Sequence, residues 1–278
     1  MLKQRIITAV VIVAALLAAM AYLSAGQLSL LFAGIVLVAA WEWADLSDLR
    51  PQVARLAYVL AIGALIASVY ALLGDVASWS TAALQELFVA ACVWWAVALL
   101  WVKGYPVSAG LWGSRPVRIV MGVAVLLPTW LALSYLRNLP NGAWLLLMLV
   151  ALVAIADIGA YFFGRRFGKA KLAPAVSPGK SWAGFWGGLA CSVSFMAALW
   201  YFWPGGMPVS LPAMLVLAAI TSLASVLGDL LESMVKRHRG IKDSSQLLPG
   251  HGGVMDRVDS LTAASPVFAL GLMSVGWQ

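Results

Sequence analysis

The stretch Trp144-Leu-Leu-Leu-Met-Leu-Val-Ala-Leu-Val-Ala-Ile-Ala-Asp157-Ile-Gly-Ala-Tyr161-Phe-Phe163 carries a single charged residue, Asp157, in an otherwise apolar run. About 20 apolar residues in a helix are enough to cross the hydrocarbon core of a bilayer, which is roughly 30 Å thick. The stretch therefore predicts a membrane-spanning helix, and the fold depends on how often this pattern recurs.

The same pattern recurs along the whole chain. Hydrophobic residues make up 63% of the sequence and charged residues 10%, whereas soluble globular proteins contain roughly 45–50% and about 25%. This composition excludes a soluble enzyme, a disordered chain and a fibrous protein, and open β-sheets cannot cross lipid. The sequence predicts an all-α, polytopic membrane helix bundle of about nine transmembrane helices, at residues 6–25, 28–44, 56–73, 87–102, 117–136, 144–163, 182–203, 211–227 and 261–277.

The distribution of lysine and arginine predicts the orientation of these helices. If the N-terminus, with Lys3 and Arg5, is cytoplasmic, every lysine and arginine except Arg137 falls in a cytoplasmic segment. Cytoplasmic loops are enriched in these residues, so the asymmetry favours a cytoplasmic N-terminus and an outward-facing C-terminus. A cleaved signal peptide is the alternative for the first run, but that run is longer than a typical signal-peptide core.

Composition also limits the ligands. The formal net charge of +7 is explained by loops that flank membrane helices. No basic run is interleaved with the aromatic residues on which bases stack, so no nucleic-acid partner is expected. The cysteines, Cys92 and Cys191, lie in apolar runs, and the histidines, His238 and His251, form no zinc motif.

The two halves of the chain differ in character. Residues 1–140 contain apolar helices joined by short polar segments, and they predict a transmembrane scaffold. Residues 141–278 contain most of the unusual polar residues, all on the predicted cytoplasmic side. We therefore expect a catalytic transmembrane region there, with its active site at the cytoplasmic face.

Asp157 and the segment after it form the first polar constellation. An acidic residue near the bilayer centre costs about 2.5–3.5 kcal/mol and usually faces a cavity, so Asp157 is a candidate functional residue; pairing with a loop lysine is the alternative. Residues 164–181 combine five cationic residues with glycine, serine and proline. This composition is compatible with a phosphate-binding loop and equally with an ordinary positively charged cytoplasmic loop. Gly179-Lys180-Ser181 is not a P-loop, because Pro174 replaces the earlier glycine.

A second constellation follows the eighth apolar run. If the helix continues, Asp229, Glu232, Ser233 and Lys236 lie at positions i, i+3, i+4 and i+7 and form one polar stripe. A surface amphipathic helix with a Glu232–Lys236 pair is the alternative. Asp229 lies where the apolar run ends, at the depth predicted for Asp157, which favours a site.

The third constellation precedes the last apolar run. Asp256, Arg257 and Asp259 lie close together in sequence, where the chain is predicted to meet the membrane surface. The alternative for Asp259 or Ser260 is that it caps the last helix. The acidic side chains of the three constellations include Asp157, Asp229, Asp243, Asp256 and Asp259. Oxygen ligands, in the absence of a His or Cys cluster, are typical of a Mg²⁺ site. Carboxylates that bind a metal, next to lysine, arginine and glycine residues, are typical of a site for a nucleoside triphosphate.

The spacing of these residues resembles a known family. The pattern Ser233-x-Val235-Lys236-Arg237-x4-Lys242-Asp243-x-Ser245-x2-Leu248-Pro249-x-His251-Gly252-Gly253-Val254-x-Asp256-Arg257-Val258-Asp259 resembles the signature of the phosphatidate cytidylyltransferases, also called CDP-diacylglycerol synthases. Residues 157–181 are similar to an earlier segment of that family, with matches at Asp157, Gly164, Gly168-Lys169, Ser177-Pro178 and Lys180-Ser181. The resemblance covers residues 150–260 in motif detail and rests only on hydropathy upstream.

The resemblance implies a reaction. It implies that CTP and phosphatidic acid give CDP-diacylglycerol and pyrophosphate, in phospholipid biosynthesis. It also implies a multi-pass protein of the bacterial inner (plasma) membrane with a cytoplasmic active site, a homodimer formed through the N-terminal helices, and bound Mg²⁺ with a second cation allowed.

The candidate residues take roles that fit this reaction, in which the lipid phosphate attacks the α-phosphate of CTP in line and cations clamp the phosphates. The candidate catalytic residues are Asp229, Lys236, Arg237, Asp256 and Asp259, and Asp229, Asp256 and Asp259 are also the candidate metal ligands. The candidate substrate-binding residues are Lys169, Ser177, Lys180, Ser181, Ser233, Lys242, His251, Gly252, Gly253 and Arg257. Asp157, Glu232 and Asp243 are candidates for supporting positions around them.

Other functions remain as alternatives. A secondary transporter for an anion also accounts for Asp157 and the loop cations, but it predicts a midplane site and internal repeats, and no repeat is evident. A structural membrane scaffold does not explain the polar segments. Among enzymes, a CTP-dependent membrane lipid kinase is the nearest alternative, and it differs by releasing CDP instead of pyrophosphate.

Overall fold

Helices account for most of the molecule. The computed structural model describes residues 2–74, 79 and 81–277, with the side chains of residues 2–6, 9 and 73 left undescribed. The helices in this part are α1 (Leu2–Tyr22), α2 (Ala25–Leu46), α3 (Gln52–Leu73), α4 (Thr81–Gly104), α5 (Ala109–Trp112), α6 (Arg115–Asn138), α7 (Gly142–Phe167), α8 (Trp182–Phe202), α9 (Leu211–Arg239) and α10 (Met255–Ser274), and the strands are β1 (Lys171–Ala173) and β2 (Ser177–Ser181).

The all-α polytopic membrane fold is confirmed. In the described ranges, seven helices are long and apolar enough to cross a membrane, namely α2, α3, α4, α6, α7, α8 and α9. The apolar part of α1 is shorter, at Val10–Tyr22, and α10 carries charged residues in its first two turns. Each of the nine predicted runs overlaps one long helix, but the number of crossings and the orientation remain predictions. Lys3 and Arg5, used for the orientation, have side chains outside the described part.

Local sequence explains where α2 begins. Ser24 and Gln27 form a capping box, in which the Ser24 hydroxyl accepts from the Gln27 amide at 3.3 Å and the Gln27 side chain accepts from the Ser24 amide at 3.0 Å. The helix then runs without interruption to Leu46 and carries Glu42 in its last turns. Helix α2 packs against α3 and α6, and it also contacts α9 and α10.

Helix α9 continues through the predicted polar stripe. It extends beyond residue 227 to Arg239 and ends where Gly240 adopts a left-handed conformation with φ of 77°. Both its apolar side and Glu232 and Lys236 are buried. The continued helix is confirmed. The alternative correctly included a Glu232–Lys236 pair, but its surface position is wrong, because most of the stripe is buried inside the bundle.

The segment after α7 differs from the predicted loop. Helix α7 extends to Phe167, so Arg165 and Arg166 lie in its last turn, where cations favour the negative end of the helix dipole. Strands β1 and β2 then form an antiparallel hairpin in which Lys171 pairs with Ser181. This small sheet was not predicted, and it places Lys180 beside α9.

Glycines allow the helices around the site to approach closely. A Cβ at Gly188 of α8 would lie 2.5 Å from the carbonyl oxygen of Ala156 in α7. A Cβ at Gly228 of α9 would overlap the carbonyl oxygen of Asp259 in α10. Small residues permit such close contacts between membrane helices. The α9–α10 contact therefore places Asp229 beside Asp259.

Helix α10 begins earlier than its apolar run. Its first residue is Met255, so Asp256 lies in the first turn and Asp259 and Ser260 follow inside the helix. The prediction that Asp259 or Ser260 caps this helix is therefore wrong. Helix α10 packs against α9, α6 and α4, and most of its apolar residues are buried.

Candidate functional site

Lys236 is the centre of a buried cluster of charges. Its Nζ lies 2.7 Å from Glu232 Oε2 and 2.6 Å from Asp256 Oδ1, and the three side chains are 9%, 0% and 6% exposed. Buried charges are tolerated when they are paired and hydrogen-bonded. We call Lys236, Glu232 and Asp256 the Lys236 centre, which joins α9 to the start of α10.

Asp256 also organises the loop that precedes α10. Its Oδ2 atom accepts hydrogen bonds from the amides of Ser244 at 2.9 Å and Gly253 at 2.8 Å, and from the Ser244 hydroxyl at 3.0 Å. A carboxylate in the first turn of a helix is also favoured by the helix dipole. Asp256 thus has a protein partner on each oxygen, and residues 244–253 fold around it.

A second charged pair is more open. Lys180 Nζ lies 2.7 Å from Asp229 Oδ2, and the two side chains are 25% and 27% exposed. The hydroxyl of Ser233 donates to Asp229 Oδ1 at 3.1 Å. We call Lys180, Asp229 and Ser233 the Lys180 centre. It joins the β-hairpin to α9, one to two helical turns from the Lys236 centre.

A cavity of about 330 Å³ opens beside Lys180. Its lining includes Asp157 and Arg165 of α7, which are accessible from it. Ser181 also lines the cavity, but it is buried and its hydroxyl accepts from the amide of Gly184 at 3.2 Å, so it caps the start of α8. Asp157 thus faces the same space as Lys180, as an acid within an apolar run was expected to do.

Asp259 adds a further carboxyl group between the two centres. Its Oδ1 atom accepts from the amide of Ser260 at 2.7 Å, and it interacts electrostatically with Asp229. Nearby, Glu232 Oε1 is buried without a hydrogen-bond partner among the described residues. Carboxyl groups therefore outnumber lysines in this region, which gives it capacity for a cation.

The loop before α10 surrounds a larger polar cavity of about 600 Å³. Its lining residues are Lys242, Asp243, Ser245, Gln246, Leu248, Pro249, Gly250, His251, Gly252 and Arg257. Arg257 Nε donates to the carbonyl oxygen of His251 at 3.0 Å, and His251 Nδ1 is buried without a partner in the described part. Five predicted site residues, Lys242, Asp243, His251, Gly252 and Arg257, therefore line one cavity.

Five predicted residues belong to neither centre and line neither cavity: Asp259 and Gly253, whose contacts are given above, and Lys169, Ser177 and Arg237. Lys169 is exposed, and Ser177 pairs with Ala173 in the hairpin. Arg237 Nε donates to the carbonyl oxygen of Val176 at 3.2 Å, which braces the hairpin against the end of α9. Their functional assignments remain predictions.

The predicted metal ligands are neighbours but do not surround one point. Carboxylate oxygens are the ligands that Mg²⁺ prefers, so the chemistry of Asp229, Asp256 and Asp259 fits this ion. Across residues 2–74, 79 and 81–277, however, no three acidic, histidine or cysteine side chains are arranged to hold a metal. Lys180 and Lys236 instead contact Asp229 and Asp256 directly.

Sequence reasoning missed Glu42. This residue of α2 is 2% exposed, and both of its carboxylate oxygens accept hydrogen bonds from residues 244–255. The signal was present, since Glu42 is an acidic residue inside the predicted run 28–44, as Asp157 is inside 144–163. If every acidic residue inside a predicted membrane span is treated as a candidate functional residue, both Glu42 and Asp157 are identified.

Comparison with known proteins gives a consistent result. Residues 3–275 match the model of a family described as the cytidylyltransferase family. The chain is 45% identical over 277 residues to phosphatidate cytidylyltransferase of Pseudomonas aeruginosa, with 100% of this chain and 99% of the relative covered. It is 40% identical over 282 residues to phosphatidate cytidylyltransferase of Haemophilus influenzae, with 97% and 98% covered.

Proposed function

Because the chain belongs to the cytidylyltransferase family, we propose that it makes CDP-diacylglycerol and pyrophosphate from CTP and phosphatidic acid. The relatives from Pseudomonas aeruginosa and Haemophilus influenzae carry this activity in their names and match over 99% and 98% of their length, and the apolar helices suit a protein that acts on a lipid. The active site in this proposal is formed by the Lys236 centre, the Lys180 centre and the cavities beside them.

One observation carries the assignment of the site. Two lysines and a surplus of carboxyl groups from α9, α10 and the hairpin lie close together, beside one cavity that is polar and one that is largely apolar. A reaction between a triphosphate and a lipid phosphate brings two anions together, so it needs fixed positive charge.

The larger cavity suits CTP. It is polar, and Lys242, Arg257 and several backbone groups line it, which is the chemistry that binds phosphates and a nucleoside. Gly252 has φ of 80°, and a Cβ there would lie 2.6 Å from Asp256 Oδ2, so glycine lets this loop close over the carboxylate. We assign CTP to this cavity.

The smaller cavity suits the headgroup of phosphatidic acid. It shares Leu172, Phe185 and Val226 with an apolar groove of about 560 Å³ between α4, the hairpin, α8 and α9. A phosphate beside Lys180 would therefore have an apolar surface next to it for an acyl chain. This arrangement lets the lipid tails stay in an apolar environment while the phosphate reaches the charged groups.

The chemistry needs little proton transfer by the protein. A lipid phosphate is already ionised at neutral pH and attacks the α-phosphate of CTP, and pyrophosphate leaves in line. Lys180 and Arg257 bind and orient the phosphates, and Lys236 holds Asp256 in place. Positioning and charge neutralisation therefore provide most of the acceleration.

We also propose that the enzyme uses Mg²⁺, held by Asp229, Asp256 and Asp259. The oxygen ligands and the surplus of carboxyl groups support a cation in this region. Bound Mg²⁺ would supply charge neutralisation for the triphosphate and for the leaving pyrophosphate.

The membrane setting completes the proposal. Lysine and arginine favour one side of the predicted spans, so the site is proposed to face the cytoplasm at the bacterial inner membrane, where CTP is available. We further propose a homodimer, which multi-angle light scattering of the detergent-solubilised protein would detect as twice the chain mass of 29.5 kDa after correction for detergent.

Product identification tests the function. Purified protein in detergent is given phosphatidic acid and CTP labelled on the α-phosphate. We expect the label to enter the lipid fraction while pyrophosphate is released in equal amount. Transfer of a γ-phosphate label to lipid with release of CDP would identify a lipid kinase instead, and uptake of an anion into liposomes without CTP turnover would identify a transporter.

A further inference from the structure

We propose that Glu42, on α2, is a positioning residue for this reaction: it fixes the loop and the helix start that present Asp256 to Lys236. The inference rests on the proposed function, because it gives Glu42 a role in the site at which CTP and phosphatidic acid react. Glu42 lies in the N-terminal half, about 200 residues before its partners.

The Glu42 carboxylate is saturated by one segment of the chain. Oε1 accepts from the Ser245 hydroxyl at 2.6 Å and the Val254 amide at 3.0 Å. Oε2 accepts from the Met255 amide at 2.6 Å, and at 3.1 Å it shares the single proton of the Ser244 hydroxyl with Asp256. Among the described residues Glu42 forms no ion pair, so its buried charge is stabilised by these donors alone.

Glu42 takes the place of a helix cap. The amides at the start of a helix have no partner within the helix, and the residue before α10, Val254, supplies no side-chain cap. Glu42 accepts from the amides of Val254 and Met255, so a carboxylate from another helix satisfies them. A negative charge is also favoured at this end of the helix dipole.

The same contacts determine the position of Asp256. The Ser244 hydroxyl lies between Glu42 Oε2 at 3.1 Å and Asp256 Oδ2 at 3.0 Å, and the Gly253 amide donates to Asp256. The two carboxylates therefore hold opposite sides of one loop. A Cβ at Gly253 would lie 2.5 Å from Glu42 Oε1, so the loop approaches Glu42 as closely as glycine allows.

A loop held in this way also lines the larger cavity. Ser245, which donates to Glu42, and Gly252, which lies two residues before Val254, line the cavity assigned to CTP. The cavity assigned to the lipid headgroup is formed by α7, α8, the hairpin and Val226 of α9, and no residue of the 244–255 segment lines it. Loss of the Glu42 contacts should therefore affect CTP more than phosphatidic acid.

The test compares kinetic constants of Glu42→Gln and Glu86→Gln. Glutamine keeps the shape of Glu42, but its amide nitrogen cannot accept the hydrogen bonds that the second carboxylate oxygen accepts. Glu86 is exposed on α4 and controls for the loss of one negative charge. We expect Glu42→Gln to lower kcat/KM for CTP by about tenfold or more, with KM for phosphatidic acid within twofold of wild type, and Glu86→Gln to match wild type.

Two outcomes would overturn the inference: kcat/KM for CTP within twofold of wild type, or a rise in KM for phosphatidic acid as large as the loss in kcat/KM for CTP. If Glu42→Gln does not fold, Ser245→Ala is measured instead, because it removes one of the four donors to Glu42. An unchanged kcat/KM for CTP in this variant overturns the proposal. A severalfold loss of kcat/KM for CTP, with KM for phosphatidic acid unchanged, supports it. A wild-type protein that makes no CDP-diacylglycerol would instead refute the proposed function.

Discussion

The Lys236 centre and the Lys180 centre pair the same kinds of charge in different surroundings. Lys236 and its partners lie on two packed helices and are at most 9% exposed, whereas Lys180 lies on a hairpin and about a quarter of its side chain is exposed. A buried pair is costly to break, and a partly solvated pair is worth little stability. We therefore expect the Lys236 centre to contribute mainly to stability and the Lys180 centre to contribute mainly to substrate binding.

Removing the buried lysine should have the largest effect. Lys236→Met leaves Glu232 and Asp256 without their cation, and breaking a buried pair costs about 3–5 kcal/mol. We expect a marked fall in the unfolding temperature in detergent and a loss of CDP-diacylglycerol formation of at least about 100-fold. Thermal unfolding followed by tryptophan fluorescence and the labelled-CTP assay measure the two effects.

Lys180→Met is the matched variant. Its pair is partly solvated, so the stability loss should be about 0–1 kcal/mol, while the rate should fall by about tenfold. Equal falls in unfolding temperature for the two methionine variants would show that the centres do not differ as their burial indicates.

The next effect concerns Asp229, the partly exposed partner of Lys180 and a proposed metal ligand. Asp229→Asn keeps the shape of the side chain and removes its charge, so we expect a rate about 100-fold lower with little change in unfolding temperature. Ser233→Ala removes only the hydroxyl that donates to Asp229, and it should cost less than about tenfold. A larger loss for Ser233→Ala than for Asp229→Asn would reverse this assignment.

Helices α9 and α10 pack closely at Gly228, and this contact places Asp229 beside Asp259. Gly228→Ala adds a Cβ that overlaps the carbonyl oxygen of Asp259, so α9 and α10 must separate. We expect about 1–3 kcal/mol of destabilisation, as for other overpacked sites, and a severalfold lower rate. Gly34→Ala on α2 is the control, since nothing lies within 4 Å of its new Cβ; equal destabilisation of both would contradict the close crossing.

The smallest effect is expected at Asp48, which forms exposed ion pairs and belongs to neither centre. The Arg115 guanidinium, followed by that of Arg50, holds the pKa of Asp48 well below its ordinary value. A lowered pKa stabilises the folded protein above the ordinary pKa of about 4, and the contribution declines as the pH falls further. Asp48→Asn should therefore lower the unfolding temperature slightly at pH 7, and the difference from wild type should shrink below pH 4. If the difference in unfolding temperature between Asp48→Asn and wild type grew as the pH fell, the lowered pKa of Asp48 would be contradicted.

Local patterns made part of this site predictable. The i, i+3, i+4, i+7 spacing on α9 correctly predicted one stripe, in which Lys236 contacts Glu232 and Ser233 contacts Asp229. Hydropathy alone predicted the helical membrane fold and the cavity-facing Asp157. These features depend on residues close in sequence, where helix periodicity fixes which side chains are neighbours.

Long-range contacts were not predictable in the same way. The contact between Lys236 and Asp256 depends on how α9 and α10 cross, and the contacts of Glu42 join residues about 200 positions apart. The hairpin was missed because β2 contains Pro178 and Gly179, which are unfavourable in strands. Tertiary packing decides each of these features, and a single sequence contains no direct signal for it.

The rate of CDP-diacylglycerol formation against Mg²⁺ concentration tests the central claim most directly. That claim is that carboxylates gathered where α9 meets α10 hold a Mg²⁺-loaded triphosphate beside a lipid phosphate. We predict that Asp259→Asn needs at least about tenfold more Mg²⁺ than wild type, or stays about 100-fold slower at every concentration, while Asp48→Asn follows wild type. Superimposable Mg²⁺ curves for Asp259→Asn and wild type would contradict the account.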